Sequence, residues 1–390
     1  MKKISVLWIA VVLTAAAVIA GCGGGGSSSS SETTESSGGS AQEAETETEA
    51  GAEGSAGSSV VSEAQKSTEE AEAIPTKIPA TEPVKPKAGG TVYHVACNLS
   101  LEGCANQAKG LKSAAEAIGF KYEQCNGGAS SETISQCFSN AVNAHPDVII
   151  PNGIGIEEAG EGFAAATKAG IPIVGMFTGD PPGSEGVATE IAGETCPEEG
   201  KAAANWVIAN SEGKGNVVFI GTQTYTCNKQ RESGFMEQME TCPECKAKAL
   251  TFSIATMQSS LPQQINAELQ SNTEVEYMVG TFDAVSLAAA EAIRQAGKAE
   301  QVQVGGFDAN APNLELIANE EIQKFDVTSG TTEPGWAGID AAARVINGEK
   351  LPPSTPVTTV MITANNIEKI GEAYLGAEGF EKQFEALWGK

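Results

Sequence analysis

From residue 89 onward, short β-branched runs alternate with alanine-rich helical stretches, and this rhythm restricts the fold more than any other feature of the chain. Residues 91–97 read as a strand and 106–118 as a helix stopped by Gly119, followed by a second strand at 120–124. Ile134, Phe138, Ala141 and Val142 then recur at helical spacing, and 148–150, 157–169 and 171–176 continue as strand, helix and strand. After a break the pattern resumes, with helices at 197–210, 228–239, 258–271 and 284–296 and strands at 216–220, 247–252, 276–281 and 302–307. Nearly continuous apolar strands separated by helices imply parallel sheets covered on both faces, an α/β fold. About ten strands over roughly 300 residues exceed one compact core and predict two α/β lobes. Ligands of open parallel sheets sit beyond the carboxyl ends of the strands. The loops to watch are therefore 98–103, 152–156, 177–180, 222–229, 282–283 and 308–310.

The first 88 residues follow different rules. Lys2 and Lys3 precede an apolar run at 4–20 that ends in Ile19-Ala20-Gly21-Cys22. This resembles a bacterial lipoprotein signal, which implies cleavage after residue 21 and a lipid on Cys22. The alternative is an uncleaved membrane helix, since 17 apolar residues reach the lower edge of spanning length. Residues 23–88 hold 12 glutamates, four lysines, a serine run and prolines at 75, 79, 83 and 86, with no aromatic residue. Such a composition predicts a disordered acidic tether over 22–88, with a reach of roughly 45 Å as a flexible coil.

Charge and histidine content remove whole function classes. Of the net charge of −26, residues 89–390 keep −20, which disfavours nucleic acid and, more weakly, an anionic ligand. Only His94 and His145 exist, so a histidine-rich metal site is impossible. Neither has the setting of a catalytic base. No G-x-S-x-G elbow, H-E-x-x-H pair or phosphate-binding P-loop occurs. Gly153-Ile-Gly155 opens a helix after a strand, but Glu158 replaces the third glycine of a dinucleotide fingerprint. No cofactor and no metal are expected, and no enzyme activity.

Eight cysteines remain beyond Cys22: Cys97, Cys104, Cys125, Cys137, Cys196, Cys227, Cys242 and Cys245. An even number in an exported chain suggests four disulfides, although 105 pairings are possible. Local spacing groups Cys97 with Cys104, Cys125 with Cys137 and Cys242 with Cys245, leaving Cys196 and Cys227. A zinc site using Cys242, Cys245 and the leftover pair is the rival.

Several segments then converge on a known family. Thr281-Phe-Asp283, Ala296-Gly-Lys298 and Val302-Gln-Val-Gly-Gly-Phe-Asp308 resemble the type-1 periplasmic binding proteins, particularly the ribose-binding branch. Gly335-Trp-Ala-Gly-Ile-Asp, Ile346-Asn-Gly-Glu-Lys350, Ala169-Gly-Ile-Pro-Ile-Val174 and Lys229-Gln-Arg-Glu-Ser-Gly-Phe235 agree in order and spacing. The resemblance implies two Rossmann-like lobes joined by three crossings near 194, 329 and 357. These would be an N-terminal lobe of 89–194 plus 330–357 and a C-terminal lobe of 195–329 plus 358–390. It also implies that a monomeric receptor closes on a small, sugar-like molecule and hands it to an ABC permease from a lipid-anchored, extracytoplasmic position.

The resemblance carries site residues over unevenly. Asp308 matches a carboxylate that accepts sugar hydroxyls; its other reading is a helix N-cap. Lys229 stands where ribose binders have an arginine. Phe282 occupies an asparagine position, Phe177 an aspartate position, and Thr178 that of a neighbouring arginine. Leu101, Gly103 and Cys104 replace the asparagine and aromatic residues of the first loop, and Ser329 stands in for a glutamine. Asp283 lies in the same loop as Phe282, and Tyr225 adds another aromatic face. These departures predict that ribose is not the ligand, because a ribose site works through polar groups that are missing here. Presentation of a bound signal to a membrane sensor and a secreted enzyme on the same fold are the competing functions.

Overall fold

The computed structural model describes the backbone from residue 50 and side chains from residue 58 to 390, apart from 129, 182, 185 and 372. The expected export signal and Cys22 lie outside the described residues. The strands are β1 (Thr91–Ala96), β2 (Lys121–Asn126), β3 (Val148–Pro151), β4 (Ile173–Met176) and β5 (Val187–Ile191). They continue with β6 (Asn216–Thr222), β7 (Lys246–Phe252), β8 (Tyr277–Gly280), β9 (Gln303–Phe307) and β10 (Gln323–Thr328), then β11 (Ser354–Thr355) and β12 (Val360–Thr363). The helices are α1 (Ala50–Ala71), α2 (Glu102–Ile118), α3 (Ser131–Ala144), α4 (Ile156–Lys168), α5 (Thr195–Asn210) and α6 (Thr226–Met239). They end with α7 (Met257–Ser271), α8 (Asp283–Gln295), α9 (Ala311–Ala318), α10 (Glu333–Asn347), α11 (Ile367–Ile370) and α12 (Phe380–Leu387).

These strands form two six-stranded sheets, ordered β11-β5-β4-β3-β1-β2 and β12-β10-β9-β8-β6-β7. The two orders are the same pattern used twice, and each reverses direction next to its first strand (β1 or β6). Central strands such as β3 are buried along their whole length, which explains their unbroken apolar sequence. The edge strands β2 and β7 are lysine-bearing and largely exposed, which discourages pairing with another chain. β12 runs antiparallel to β10, the one such pairing among the described strands. It closes the second sheet with a strand that the alternating rhythm does not announce.

The chain passes between lobes after β5, after β10 and between β11 and β12. Buried Glu333 ties the second passage to the third and to the C-terminal stretch. Its carboxylate accepts from the Thr358 hydroxyl (2.7 Å) and from Ala377 N (2.7 Å). Helices α2 and α10 cover one face of the first sheet with their backbones in contact; a Cβ on Gly335 would lie 2.4 Å from Leu111 N.

Two boundaries differ from the expectation. The C-terminal stretch does not stay with the second lobe, because α12 crosses back to α10. There Trp388 stacks on Trp336 (5.3 Å between centroids, 3° apart) and donates to Asp340 Oδ1 (2.8 Å). The second half of the expected tether is also folded. In α1, Val60, Val61, Ala64 and Ala71 fall on one helical face and pack with Ala203, Ala204 and Val207 of α5. Ser67 Oγ accepts from Asn205 (3.0 Å), and Glu72 accepts from Thr363 and Asn365. The proline-rich stretch then runs extended over the first lobe, burying Ile78 and Val84, with Val84 N donating to Leu387 O (2.9 Å). Alanine and valine at helical spacing among glutamates are too weakly apolar to stand out in composition, so the segment looked like a spacer.

Ala64 is 1% exposed, so Ala64→Glu should lower the unfolding free energy by about 1–3 kcal/mol in chemical denaturation. A free tether would leave the midpoint unchanged.

Candidate functional site

Loops at the carboxyl ends of both sheets meet around a cavity of about 80 Å³. From the first lobe come Cys97, Leu101, Gly103, Cys104 and Gln107 after β1, Asn152 and Gly153 after β3, and Phe177 after β4. The second lobe supplies Tyr225, Cys227, Asn228 and Arg231 after β6, Phe282 after β8 and Asp308 after β9. A smaller recess adjoins it at the hinge, where Ser329, Gly330 and Thr331 join Gly103, Gln107, Phe177, Arg231 and Asp308.

Arg231 organises this end. Its Nε donates to Glu199 Oε2 (2.8 Å), and one terminal nitrogen donates to Asp308 Oδ1 (3.1 Å) and Thr281 O (2.9 Å). The guanidinium carbon lies 4.8 Å from the centre of the Phe307 ring. Burial pulls its pKa down, but Glu199 and Asp308 outweigh that and hold it above its ordinary value. Burial pushes Asp308 up to about 6, with Arg231 pulling the other way and Glu199 adding to the rise. Of the Asp308 side-chain surface 23% remains open, and the residue lines both the cavity and the recess.

The backbone at the site is strained. Asp308 and Ala309 have φ of 103° and 58°, and Phe177 has φ of 52°, a region that non-glycine residues rarely occupy. Two buried acidic groups hold these loops. Ala309 N donates to Asp326 Oδ1 (2.9 Å) and Asn310 N to Asp283 Oδ2 (2.6 Å). Behind Phe177, Thr178 N donates to Glu190 Oε1 (2.7 Å). The Thr178 hydroxyl has one hydrogen yet lies 2.9 Å from both Asp180 Oδ2 and Glu190 Oε2. Burial pushes Glu190 up to about 8 against the pull of the Thr178 hydrogen bonds, so Glu190 carries the second proton.

Of the residues expected to bind, Asp308, Phe282, Phe177, Tyr225 and Leu101 line the cavity together, and Ser329 lines the recess. The Ser329 hydroxyl is turned to Glu199. Three differ in role. Lys229 does not line the cavity; it pairs across the cleft rim with Glu157 and with Glu158 (3.5 Å). The first turn of α6 turns Asn228 and Arg231 inward and Lys229 outward. Asp283 and Thr178 also lie behind the wall, where they position the loops of Asp308 and Phe177. The sequence reading missed Arg231, Asn228, Gln107 and Asn152 as lining residues. A usable signal was the i, i+3 spacing of Asn228 and Arg231, which puts both on one face of α6.

The cysteines pair as Cys97–Cys104, Cys125–Cys137, Cys196–Cys227 and Cys242–Cys245. The first, with Cα atoms 5.8 Å apart, fastens the end of β1 to the first turn of α2. Gly103 then approaches the other lobe so closely that a Cβ would lie 3.1 Å from Asp308 Oδ2.

The family model for the periplasmic binding protein domain matches residues 97–350, well over half the chain. The chain is a periplasmic binding protein. Its structural neighbours include an ABC sugar transporter subunit and several ABC transporter solute-binding proteins. A glucose-galactose binding protein from Geobacillus stearothermophilus superposes with a TM-score of 0.65 at 19% identity, covering 72% of this chain and 99% of that one. A solute-binding protein from Bacillus halodurans with bound myo-inositol gives 0.65 at 20%, over 73% and 98%. A 5-methylthioribose transporter solute-binding protein from Thermotoga lettingae gives 0.67 at 17%, over 80% and 96%. No curated protein matches the chain. This family comprises substrate-binding proteins of transporters rather than enzymes. Among the described residues no helix is long and apolar enough to cross a membrane, and no acid, histidine or cysteine cluster is arranged to hold a metal.

The buried acids of this binding protein set a pH dependence. Burial, and the neighbouring Asp326, hold Asp283 well above the carboxylate range, while burial raises Asp326 against the hydrogen bond from Asp283. Asp308 and Glu190 are raised as well. The folded state therefore keeps protons that the unfolded chain releases above about pH 4. Stability should fall as pH rises from about 4 through the range of Asp308 (about 6) to that of Glu190 (about 8). Melting temperatures measured at pH 5 and pH 8 should differ in that direction, and Glu190→Gln with Asp326→Asn should narrow the gap. A melting temperature that rises across this window would contradict the assignment.

Proposed function

We propose that this protein is a lipid-anchored extracytoplasmic receptor that captures a small, uncharged, sugar-like ligand between its lobes and delivers it to an ABC importer. The observation that carries the reading is the convergence of Asp308, Arg231, Gln107 and Asn228 with three aromatic residues in one interlobe cavity. A carboxylate paired with a guanidinium accepts and orients hydroxyl groups, while aromatic faces cover the C–H surface of a ring. The neighbours' ligands, myo-inositol and 5-methylthioribose among them, are of that class. The lipoprotein-like start at residues 1–22 and the family's role in transport support the anchoring and the delivery.

The mechanism follows from the rim. Tyr225 OH donates to Gly128 O (2.8 Å), Thr226 Oγ1 to Glu158 Oε1 (2.9 Å) and Gln230 Nε2 to Gly179 O (3.0 Å), each across the cleft. With Lys229 paired to Glu157 and Glu158, these contacts latch the first turn of α6 onto the first lobe. Admission of ligand requires the latch to open about the hinge, and closure re-forms it over the bound molecule. Arg231 already faces Glu199 and Asp308, so a strongly anionic ligand finds no unmatched positive charge.

A thermal-shift panel of neutral sugars, polyols and cyclitols tests this. At least one compound other than ribose should raise the melting temperature by several degrees, as expected for a ligand well above its Kd. Asp308→Asn should weaken its binding about tenfold or more. Affinity should also fall as pH drops below about 6, where Asp308 gains a proton and loses acceptor capacity. Stabilisation only by phosphorylated compounds would refute the reading, and ribose binding at micromolar affinity would refute the exclusion of ribose.

A further inference from the structure

The cavity changes character along its length. Its hinge end, continuous with the recess at Ser329 and Thr331, presents Asp308, Arg231 and Gln107. The outer end is walled by Leu101, Tyr225 and Phe282 and by the sulfur of the Cys97–Cys104 disulfide. The Tyr225 hydroxyl is engaged by Gly128 O, so this residue gives the cavity ring surface rather than a polar contact. Asn152 commits an amide N–H to Gln107 (2.8 Å) and its Oδ1 is buried, leaving Asn228 as the polar side chain of this end. Phe282 in turn packs edge-on against Phe252 at 6.1 Å and cannot turn away without opening the core.

An unsubstituted sugar filling this space would place several hydroxyls against leucine, phenylalanine and disulfide sulfur. Each would give up its water partners and gain none. An apolar group there loses nothing and gains contact with polarisable sulfur and aromatic carbon. Building on the solute-receptor reading, we propose that the ligand is an uncharged polyhydroxyl compound carrying a small apolar substituent. Its hydroxyls bind Asp308, Arg231 and Gln107, and its substituent fills the outer end between Leu101, Phe282 and the Cys97–Cys104 disulfide. A methyl, a methyl ether or a methyl thioether is a substituent of that kind.

Titration calorimetry on the full chain with matched pairs decides this. Pentoses, hexoses and inositol are each compared with their deoxy, O-methyl and S-methyl derivatives. At least one derivative should bind about tenfold or more tightly than its parent, the discrimination that one or two apolar heavy atoms give in a fitted pocket. Leu101→Asn should weaken the derivative more than its parent and so remove that preference. Asp308→Asn should weaken parent and derivative by the same factor. If parents bind as tightly as every derivative and Leu101→Asn changes neither, the substituent is refuted and the solute receptor stands. If neither series binds, both readings fall.

Discussion

The guanidinium of Arg231 is the contact on which the second half of the binding cleft depends. It joins α6 to Glu199 on α5, to Thr281 after β8 and to Asp308 after β9. Glu199 passes the connection on to Ser329, at the passage between lobes after β10. A buried cation with two carboxylates is costly to desolvate, and it holds only while every partner is in place. The cavity wall at Asp308 and the hinge therefore share one hydrogen-bonded cluster. A molecule that engages Asp308 acts on the group that also braces the crossing.

Strain and acidity support that cluster. Asp308 and Ala309 occupy left-handed backbone, and their loop is held by the Asp283 and Asp326 carboxyls accepting successive backbone N–H groups. Two carboxyls so buried keep a proton between them, which makes them holders of shape rather than of charge. The opposite loop is treated similarly, with Glu190 gripping Thr178 behind Phe177. On both walls a cavity-lining residue is set by an acid that lies behind it, and the disulfides add covalent restraint at Cys97 and Cys227.

Much of the fold was legible in the sequence because parallel strands buried on both faces have few alternatives to valine and isoleucine, and the helices between them need alanine. The places where Asp308, Phe282 and Phe177 sit followed from strand ends. What was not legible depended on partners distant in the chain. Lys229 and Arg231 are two residues apart with the same charge, and only the facing of α6 decides which enters the cavity. Asp283 resembles a ligand carboxylate until Asp326, far along the chain, is seen beside it. Helix α1 was hidden because its apolar face is made of small side chains, which bury well against the alanines of α5 but contribute little to hydropathy. The return of α12 to the first lobe rests on Trp336 and Trp388, 52 residues apart, which no local pattern connects.

The central claim is that Arg231 and Asp308 act as one unit, and a double-mutant cycle on ligand-free protein tests it most directly. Unfolding free energies would be measured for wild type, Arg231→Met, Asp308→Asn and the double variant. Arg231→Met alone leaves buried carboxylates without a counter-charge, so adding Asp308→Asn should recover part of the loss, with a coupling energy of about 1–3 kcal/mol. Losses that simply add would contradict the account, because Asp308 would then stand in the cleft independently of the cluster that braces the hinge.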